Sequence, residues 1–507
     1  MKISNTYRGI AVLLLVTVAA ALFPEPNMLV FSERKYPNPE GVQTILVIPV
    51  EFRDKSPSVP LDVFQNVLAK MDDYFKEVSY GKISLEVDMF EDWVKLPHAM
   101  SHYGRDSAHP GDDKGGNGRG SLQIVYDAVN QVDGSTDFSD YSYLLVVHSG
   151  KDQAEVNIDS LDDNVWSYSY WGISIPTRDG VSVTKVSIVS ESSPLGVWVH
   201  EYLHQLGELP DLWSTDDSNV HYLGVWSPMD MGIALGIPRG SSPPHLTSWS
   251  KIKIGWLEPV ILPLNDSTIT IAPIESMLET FQVAAMLPLP DETYYLIEAR
   301  ERKGFDAHLP DEGVLIYHID ERGDEPKVRI VPREDDDKLK ARAAYRVGDS
   351  FYDEFNNLNI EVVSKSFHGY EVRVSVDQQL NLVIEIPYRV YILQPFDVTV
   401  KILTPTVKPK LNLFLDDNLY KTSSEAADGE YRVDVLFRFD QVGDHVIRAI
   451  VVDPEQGTRY EAARHIYVEM PYTWLLAAVI LTLAAAGSLI AFAVHRHRRG
   501  RIDSVEF

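Results

Sequence analysis

The chain of 507 residues contains no cysteine and few basic residues for its size. Without cysteine it can form neither a disulfide nor a thiolate metal site, and it cannot use a cysteine nucleophile. Lysine and arginine together number 46, against 74 aspartate and glutamate residues, which gives a formal net charge of −28. A nucleic-acid partner is therefore not expected, because binding to phosphates needs a basic surface. On so acidic a chain, calcium is a candidate structural metal.

Both ends of the chain carry a long apolar run. Residues 1–24 place Lys2 and Arg8 before an apolar stretch, which is the layout of a signal peptide or of an uncleaved signal anchor. Residues 474–494 contain no charged side chain and are long enough to cross a bilayer as a helix. Arginines follow at once in the tail 495–507, so this end is expected in the cytoplasm. The sequence therefore predicts a single-pass protein of the cell membrane whose large middle part is extracellular.

Hydrophobic periodicity divides that middle part into three regions. Strands such as Thr44–Phe52 alternate with helices such as Leu61–Val78 over residues 40–257, which predicts a first domain that contains both. Short alternating strands predict a β-rich extension of this domain at 258–377. Regularly spaced strands predict an immunoglobulin-like β-sandwich at 381–469. The expected fold class is therefore α+β.

One segment, residues 193–207, carries a pattern with specific chemistry. His200 and His204 are four residues apart, so on a helix they project from one face, where two neutral imidazoles can bind one zinc ion. Glu201 follows the first histidine and can accept a proton from a water that the zinc activates. The pattern His-Glu-x-x-His also occurs by chance in ordinary amphipathic helices with two surface histidines. The residues around the pattern decide between these two interpretations.

The flanking residues favour the zinc interpretation. Ser193 can act as the N-cap of the helix, Pro194 suits its first position, and Gly207 can supply the left-handed residue that ends it. Gly207 also stands three residues after the second histidine, which is the position that glycine takes in metzincin peptidases. We therefore expect a helix that ends just beyond a metal site.

Further motifs accompany the histidines in a definite order. They are Tyr74–Gly81 upstream, and then Leu209–Trp213, Trp226–Gly232 and Tyr295–Arg300 downstream. This ordered set resembles the immune inhibitor A-type metallopeptidases, which are relatives of the metzincins, over roughly residues 40 to 360. The resemblance implies a secreted or surface zinc endopeptidase and a metzincin-like fold for the first domain.

The resemblance also implies roles for individual residues. His200 and His204 would be zinc ligands, and Glu201 would be the general base. Met229 would be the methionine of the turn beneath the metal, although an ordinary core methionine is the alternative. No residue is assigned to stabilise the oxyanion. Tyr222 is close in sequence, but an aromatic residue in such a place more often packs in the core.

The third ligand is where this chain departs from the family pattern. Members of the family carry an aspartate three residues after the glycine of the motif. Here Asp211 comes four residues after Gly207, because Glu208 is an apparent insertion. An oxygen ligand on a loop tolerates some shift, so Asp211 is the predicted third ligand. Glu208 and His221 are the alternatives.

The predicted function is that of a membrane-anchored extracellular zinc endopeptidase acting on proteins or peptides. Three protein ligands leave a fourth position for a water, which zinc activates and from which Glu201 accepts a proton. The alternative is a catalytically decayed peptidase that serves as a surface binding or adhesion protein. The shifted Asp211 motivates that alternative, whereas the intact set of His200, Glu201 and His204 favours the enzyme.

Overall fold

The first sheet of the protein is built around strands that are buried on both faces. In the computed structural model its strands are β1 (Gly41–Glu51), β2 (Ile83–Met89), β3 (Val94–Lys95), β4 (Tyr143–His148), β5 (Tyr168–Pro176) and β6 (Ser182–Ser190). The order across the sheet is β2-β1-β4-β6-β5, with β3 beside β1. Neighbouring strands pair in parallel, except that β5 is antiparallel to β6 and forms one edge. The continuous apolar sequences of β1 and β4 are typical of strands that are covered on both sides.

Helices cover both faces of this sheet. The helices are α1 (Leu61–Val78), α2 (Met100–Gly104), α3 (Gly120–Val132), α4 (Leu195–Gly207) and α5 (Ser248–Lys253). α1 and α4 share one apolar core with the sheet, through residues such as Phe75 and Leu203, whereas α3 packs against the opposite face. The predicted helix Leu61–Val78 is confirmed over its full length, because its apolar residues recur at the helical period.

The ends of α4 differ from the prediction. The helix begins at Leu195, and Pro194 occupies the N-cap position without a side-chain capping bond. The hydroxyl of Ser193 instead accepts a hydrogen bond from the amide of Ser190, so the prediction of a serine cap was wrong. Gly207 is the last helical residue, and Glu208 takes the left-handed conformation with φ 52°. Glycine is needed at 207 for packing, because a Cβ there would lie 2.8 Å from a methyl group of Ile254.

The region after residue 257 forms two sheets whose strands pair antiparallel, except that the short edge strand Val260–Ile261 pairs in parallel with Ala284–Pro288. Its strands are β7 (Val260–Ile261), β8 (Ser267–Ile271), β9 (Ala284–Pro288), β10 (Tyr294–Arg300), β11 (Gly313–Asp320), β12 (Lys327–Val331), β13 (Ser350–Asp353), β14 (Leu358–Ser366) and β15 (Gly369–Val376). One sheet has the order β12-β11-β10-β9-β7 and the other the order β13-β14-β15-β8. Leu315 and Tyr317 of β11 belong to the same apolar core as α4. The β-rich extension therefore packs directly against the helix that carries the histidine motif.

The last described region is a separate compact unit of two sheets. Its strands are β16 (Leu382–Glu385), β17 (Val390–Tyr391), β18 (Phe396–Ile402), β19 (Lys410–Leu415), β20 (Asn418–Ser423), β21 (Glu430–Val435), β22 (Gly443–Val452) and β23 (Arg459–Glu469). The sheets have the orders β16-β18-β21 and β17-β23-β22-β19-β20. Both contribute to one apolar core, with residues such as Val400, Leu413 and Ile447. The immunoglobulin-like topology of this unit stays a prediction. The metzincin-like topology of the domain at residues 40–257 also stays a prediction.

The structure describes the following residues: 36–104, 120–152, 164–213, 220–276, 282–289, 291–323, 326–334, 339–353, 355–376, 382–387, 390–402, 410–416, 418–423, 430–438, 441–452 and 459–470. They are β-rich with few helices, which agrees with a peptidase domain followed by a β extension. No helix within these ranges is long and apolar enough to cross a membrane. The predicted signal segment 1–24, transmembrane helix 474–494 and basic tail 495–507 lie outside the described residues.

Candidate metal centre

The two histidines of the motif lie on a buried helix. Helix α4 is enclosed by the first sheet, by α1 and by the β-rich extension, and His200 and His204 are only 4% and 8% exposed. The alternative of two surface histidines is therefore wrong for this chain. Two polar rings on a buried helix need partners, since burying an unsatisfied polar group costs free energy.

Three side-chain atoms converge on one point beside the helix. The Nε2 atoms of His200 and His204 are 3.1 Å apart. Oδ1 of Asp211 lies 3.2 Å from the first of these nitrogens and 3.3 Å from the second. Ligands of a tetrahedral zinc ion at their usual bond lengths are about 3.3 Å from one another. The triangle of donor atoms thus has the size that a bound zinc ion requires.

The other nitrogen of each ring determines which atom is free to bind a metal. Nδ1 of His200 lies 2.9 Å from the carbonyl oxygen of Pro228, and Nδ1 of His204 lies 2.7 Å from that of Leu209. A carbonyl can only accept, so each Nδ1 carries a hydrogen in this arrangement and each Nε2 can present a lone pair. Oδ1 of Asp211 is buried without a hydrogen bond of good geometry. Three acceptors that face one another without a donor fit a cation.

Glu208, the apparent insertion in the motif, is the residue at which the chain turns to bring Asp211 beside the two histidines. Glu208 adopts the left-handed conformation after the last helical turn, so the chain reverses there. The reversal lets the carbonyl of Leu209 accept from His204, and the amide of Leu212 bond to the carbonyl of Met229 at 2.8 Å. Asp211 lies between these two fixed points. The shift of one residue is therefore absorbed in the turn and does not displace the carboxylate.

Neither alternative third ligand belongs to the group. The carboxylate of Glu208 lies 3.6 Å from the ammonium group of Lys185. Nδ1 of His221 pairs with the carboxylate of Asp230 at 2.6 Å. Across the described ranges, His200, His204 and Asp211 are the one set of three such side chains close enough to hold a single ion. The structural calcium site suggested by the acidic composition stays a prediction.

Met229 belongs to a tight turn that contacts His200 through the carbonyl of Pro228. The turn follows Trp226, and Met229 is completely buried in the same core as α4. The carbonyl of Pro228, one residue earlier, is the one that orients His200. Gly232 is required here, since a Cβ would lie 2.3 Å from the carbonyl oxygen of Ser227. The turn therefore fixes the ring of His200, and Met229 itself is observed as a buried core methionine.

Glu201 is held beside the group from the other side. Its side chain is buried, with the residue 6% exposed. The hydroxyl of Ser169 on the edge strand β5 donates to Oε2 of Glu201 at 2.8 Å. The same hydroxyl lies 2.6 Å from the backbone carbonyl of Glu201. The carboxylate thus has a fixed orientation next to the two histidines.

Comparison with known families concerns the part of the chain that carries this centre. Residues 126–257 match the family model described as immune inhibitor A peptidase M6, catalytic domain. The resemblance to the immune inhibitor A-type metallopeptidases is confirmed. The curated protein "Immune inhibitor A" from Bacillus thuringiensis subsp. alesti is 26% identical over an alignment of 219 residues, which covers 35% of this chain and 30% of that protein. The match thus spans less than a third of the relative's length.

Similarity to solved structures is weak. Catalytically inactive OgpA from Akkermansia muciniphila, solved with an O-glycopeptide substrate, covers 87% of this chain at 10% identity, with 97% of its own chain covered and a TM-score of 0.26. A CARDB domain from Pyrococcus furiosus, solved with di-metal ions, covers 25% of this chain at 19% identity, with 98% of its own chain covered and a TM-score of 0.15. At such scores these likenesses carry no argument about fold or function.

The charges of this metallopeptidase-like centre are strongly coupled. Burial raises the pKa of Glu201, and the two histidines and the Ser169 hydroxyl oppose that rise. Burial alone would lower the pKa of His200, but the neighbouring carboxylates of Asp211 and Glu201 raise it to about 9. The pKa of Asp211 lies well below its usual range despite burial, because both histidines stabilise its charge. A proton on His200 and a metal ion are therefore competitors for the same nitrogen.

Two tryptophans flank the group, and the motif alone did not reveal them. The indole of Trp171, on the edge strand β5, stacks on His204 with centroids 6.0 Å apart. The indole of Trp213 stacks on His200 with centroids 5.6 Å apart. Sequence reasoning also missed Ser169, since a serine in a strand carries no signal for a contact with a helix. Tyr222 packs as expected, with the Arg329 guanidinium 5.0 Å from its ring centroid.

Proposed function

We propose that this chain is a zinc-dependent endopeptidase that uses His200, His204 and Asp211 as metal ligands. One observation carries the proposal, namely the convergence of two Nε2 atoms and one carboxylate oxygen at 3.1 to 3.3 Å. The Nδ1 partners of both rings support it, because they leave the lone pairs at the metal position. Two imidazoles and one carboxylate are a usual ligand set of catalytic zinc.

The side chains around the group suit peptide hydrolysis. A zinc ion held there would polarise the scissile carbonyl and lower the pKa of a water molecule. Glu201 would accept the proton of that water and later pass it to the leaving amine. Ser169 keeps the carboxylate of Glu201 oriented.

Proteins or peptides are the substrate class that this arrangement favours. Strand β5 is the edge of the first sheet, and it carries both Ser169 and Trp171 into contact with the centre. An extended peptide can pair with such an edge through its backbone. Trp171 is 37% exposed, so its ring can also contact a bound peptide.

Hydrolysis of casein by the full chain tests this function, with Glu201→Gln as the decisive variant. The amide cannot accept the proton, so the rate should fall by about 10²–10⁴-fold while the zinc content stays at wild type. Glu208→Gln is the matched control, because this neighbouring acid lies outside the metal group and should leave both quantities unchanged. Equal rates for wild type and Glu201→Gln would refute the assignment of peptidase activity to this site. Wild-type protein that binds no supplied zinc would favour the decayed peptidase.

We also propose that the peptidase is displayed outside the cell on a membrane anchor. The support comes from the sequence alone, from the uncharged run 474–494, the arginines after it and the signal-like segment 1–24. Fractionation of cells that express the full chain or a chain ending at residue 470 tests the proposal. The full chain should sediment with membranes and the shortened chain should appear in the medium. The same distribution for both chains would contradict the anchor.

A further inference from the structure

The side chain of His221 lies on the same face of a short backbone bridge as the indole of Trp213, which covers His200. The backbones of Trp213 and His221 form an isolated antiparallel bridge. Residues opposite each other in an antiparallel pair project their side chains to the same face, with Cβ atoms about 5 Å apart. The indole of Trp213 uses that face to stack on His200, at an interplanar angle of 13°. The side chain of His221 is therefore directed to the metal side of this segment.

Asp230 fixes the orientation of the His221 ring. Oδ1 of Asp230 accepts from Nδ1 of His221 at 2.6 Å, and its side chain is fully buried. Asp230 is itself immobilised, since it also accepts hydrogen bonds from three backbone amides, those of Leu223, Gly224 and Met231. It stands two residues after the proline whose carbonyl holds His200. The imidazole is thus held rigidly with respect to the metal group.

No described residue occupies the second nitrogen of this ring. Among the described residues, the only hydrogen-bond partner of His221 is Asp230, which takes Nδ1. The side chain is 16% exposed, and Nε2 is not one of the enclosed unsatisfied atoms. His221 is also outside the set of three side chains that could hold the ion. A ring that is fixed at one nitrogen and open at the other can act on a molecule that enters the centre.

We propose that His221 is a catalytic residue that donates a hydrogen bond from Nε2 to the carbonyl oxygen of the scissile peptide as that oxygen gains negative charge. Asp230 is its positioning residue, and its carboxylate balances the charge of a ring that carries a hydrogen on both nitrogens. No proton is transferred in this step, because the donor only stabilises the oxyanion of the tetrahedral intermediate. The inference rests on the proposed peptidase function, for which the sequence offered no oxyanion donor.

The variant His221→Phe tests the donor, because it removes the nitrogen and keeps a flat ring of similar size. We expect kcat to fall by about 10²–10³-fold, which is the usual loss for one oxyanion donor. KM should change by less than about threefold, since the bond strengthens only in the transition state. The zinc content should remain that of the wild type. The substrate is a fluorogenic peptide built on a sequence that the full chain cleaves in casein.

Two further variants separate catalysis from structure. His221→Gln should recover part of kcat, because its amide can still donate. Tyr222→Phe is the matched control at the neighbouring position, where the ring packs against Arg329, and it should behave as the wild type. A His221→Phe protein that does not fold would leave His221→Gln as the test. Wild-type kcat in a folded variant, or a loss confined to KM, would overturn the inference.

A binding measurement provides a readout that does not depend on turnover. In the Glu201→Gln background, His221→Phe should leave the affinity for the uncleaved peptide within about threefold, whereas the affinity for a phosphinic analogue of the same peptide should fall by at least tenfold. Zinc lost from His221→Phe would show that the residue serves the metal site, and the inference would then be wrong. Equal casein rates for wild type and Glu201→Gln would instead reject the proposed function itself.

Discussion

Two clusters of buried charged groups lie near each other in the first unit, and they are organised in opposite ways. In the metal centre, His200, His204 and Asp211 direct three acceptor atoms at one point, and no donor occupies it. In the second cluster, Arg300 is completely buried and donates to Glu298 at 2.7 Å and to Asp306 at 2.8 Å. Matched donors and acceptors are typical of a structural network, whereas convergent acceptors without a donor indicate a ligand site.

The Arg300 cluster connects the β-rich extension to the start of the turn that contains Met229. Arg300 lies at the end of β10. Its guanidinium also donates to the backbone carbonyls of His245, Leu246 and Trp226, the last at 3.4 Å. Trp226 immediately precedes the turn that contains Met229. The extension is therefore part of what holds the metal centre in place, although it contributes none of the proposed ligands.

The largest effect on stability is expected from Arg300→Met, which removes the cation of the Arg300 cluster. Glu298 and Asp306 would remain buried without their cation, and the loss of one partner of such a network costs about 3–5 kcal/mol. Chemical unfolding followed by tryptophan fluorescence measures this. Arg373→Met is the matched control, because Arg373 is 51% exposed and pairs with Glu361 at 3.2 Å on the surface. Equal stability losses for both variants would contradict the view that the Arg300 cluster is a structural network.

A smaller effect on stability but a specific effect on metal is expected from Asp211→Ala. Removing one of three ligands should weaken zinc binding by about 100-fold or more, which corresponds to about 2.7 kcal/mol. The unfolding free energy of the metal-free protein should also fall, because the charge of Asp211 stabilises a proton on the buried His200. It should fall by less than in Arg300→Met, since the side chain of Asp211 is 32% exposed. Zinc titration with a competing chelator measures the affinity, beside a Glu208→Ala control. Wild-type affinity in Asp211→Ala would remove the aspartate from the ligand set.

The smallest effect is a pH dependence of the unfolding free energy, which arises from Lys251 beside the Arg300 cluster. The ammonium group of Lys251 is buried between the hydroxyl of Tyr80 and Nδ1 of His245, each at 3.0 Å. Burial lowers the pKa of Lys251 from 10.5 to about 7, with the charge of Arg300 acting in the same direction. Between these values the unfolded chain binds more protons than the folded one. The unfolding free energy contributed by this group therefore rises with pH across that window.

Comparison of the wild type with Lys251→Met measures this contribution. The difference in unfolding free energy, wild type minus variant, should increase by about 2 kcal/mol between pH 7 and pH 9. Lys410→Met is the control and should show no such trend, because the Lys410 side chain is exposed. A difference that is constant with pH would mean that the lysine is not the titrating group of the cluster.

The sequence predicted those features that depend on neighbouring residues along the chain. The helix Leu61–Val78 follows from the spacing of its apolar residues, and the structure has it with the same bounds. The meeting of His200 and His204 was predictable because a spacing of four residues on a helix places two side chains on one face. Asp211 was predicted from a motif that contained an extra residue, and the structure brings it to the two histidines.

What the sequence could not predict depends on contacts between distant segments. The ends of α4 were predicted wrongly because the Ser193 hydroxyl bonds back to Ser190 and because Gly207 is selected by its contact with Ile254. Ser169, Trp171 and Trp213 reach the centre from a strand and a loop that carry no local signal. The pair His221 and Asp230 exists only because the turn after Pro228 returns beside the segment of Trp213.

The sequence by itself thus determined the acidic, cysteine-free composition and the placing of His200, Glu201 and His204 on one helix, because composition and helical spacing are local properties. The tertiary structure decided which carboxylate completes the metal group, which ring nitrogens are free, and which charges are matched inside the protein. These depend on where the backbone carbonyls of Pro228 and Leu209 and the guanidinium of Arg300 come to lie. Directed contacts of this kind form only when segments far apart in the chain pack into one core.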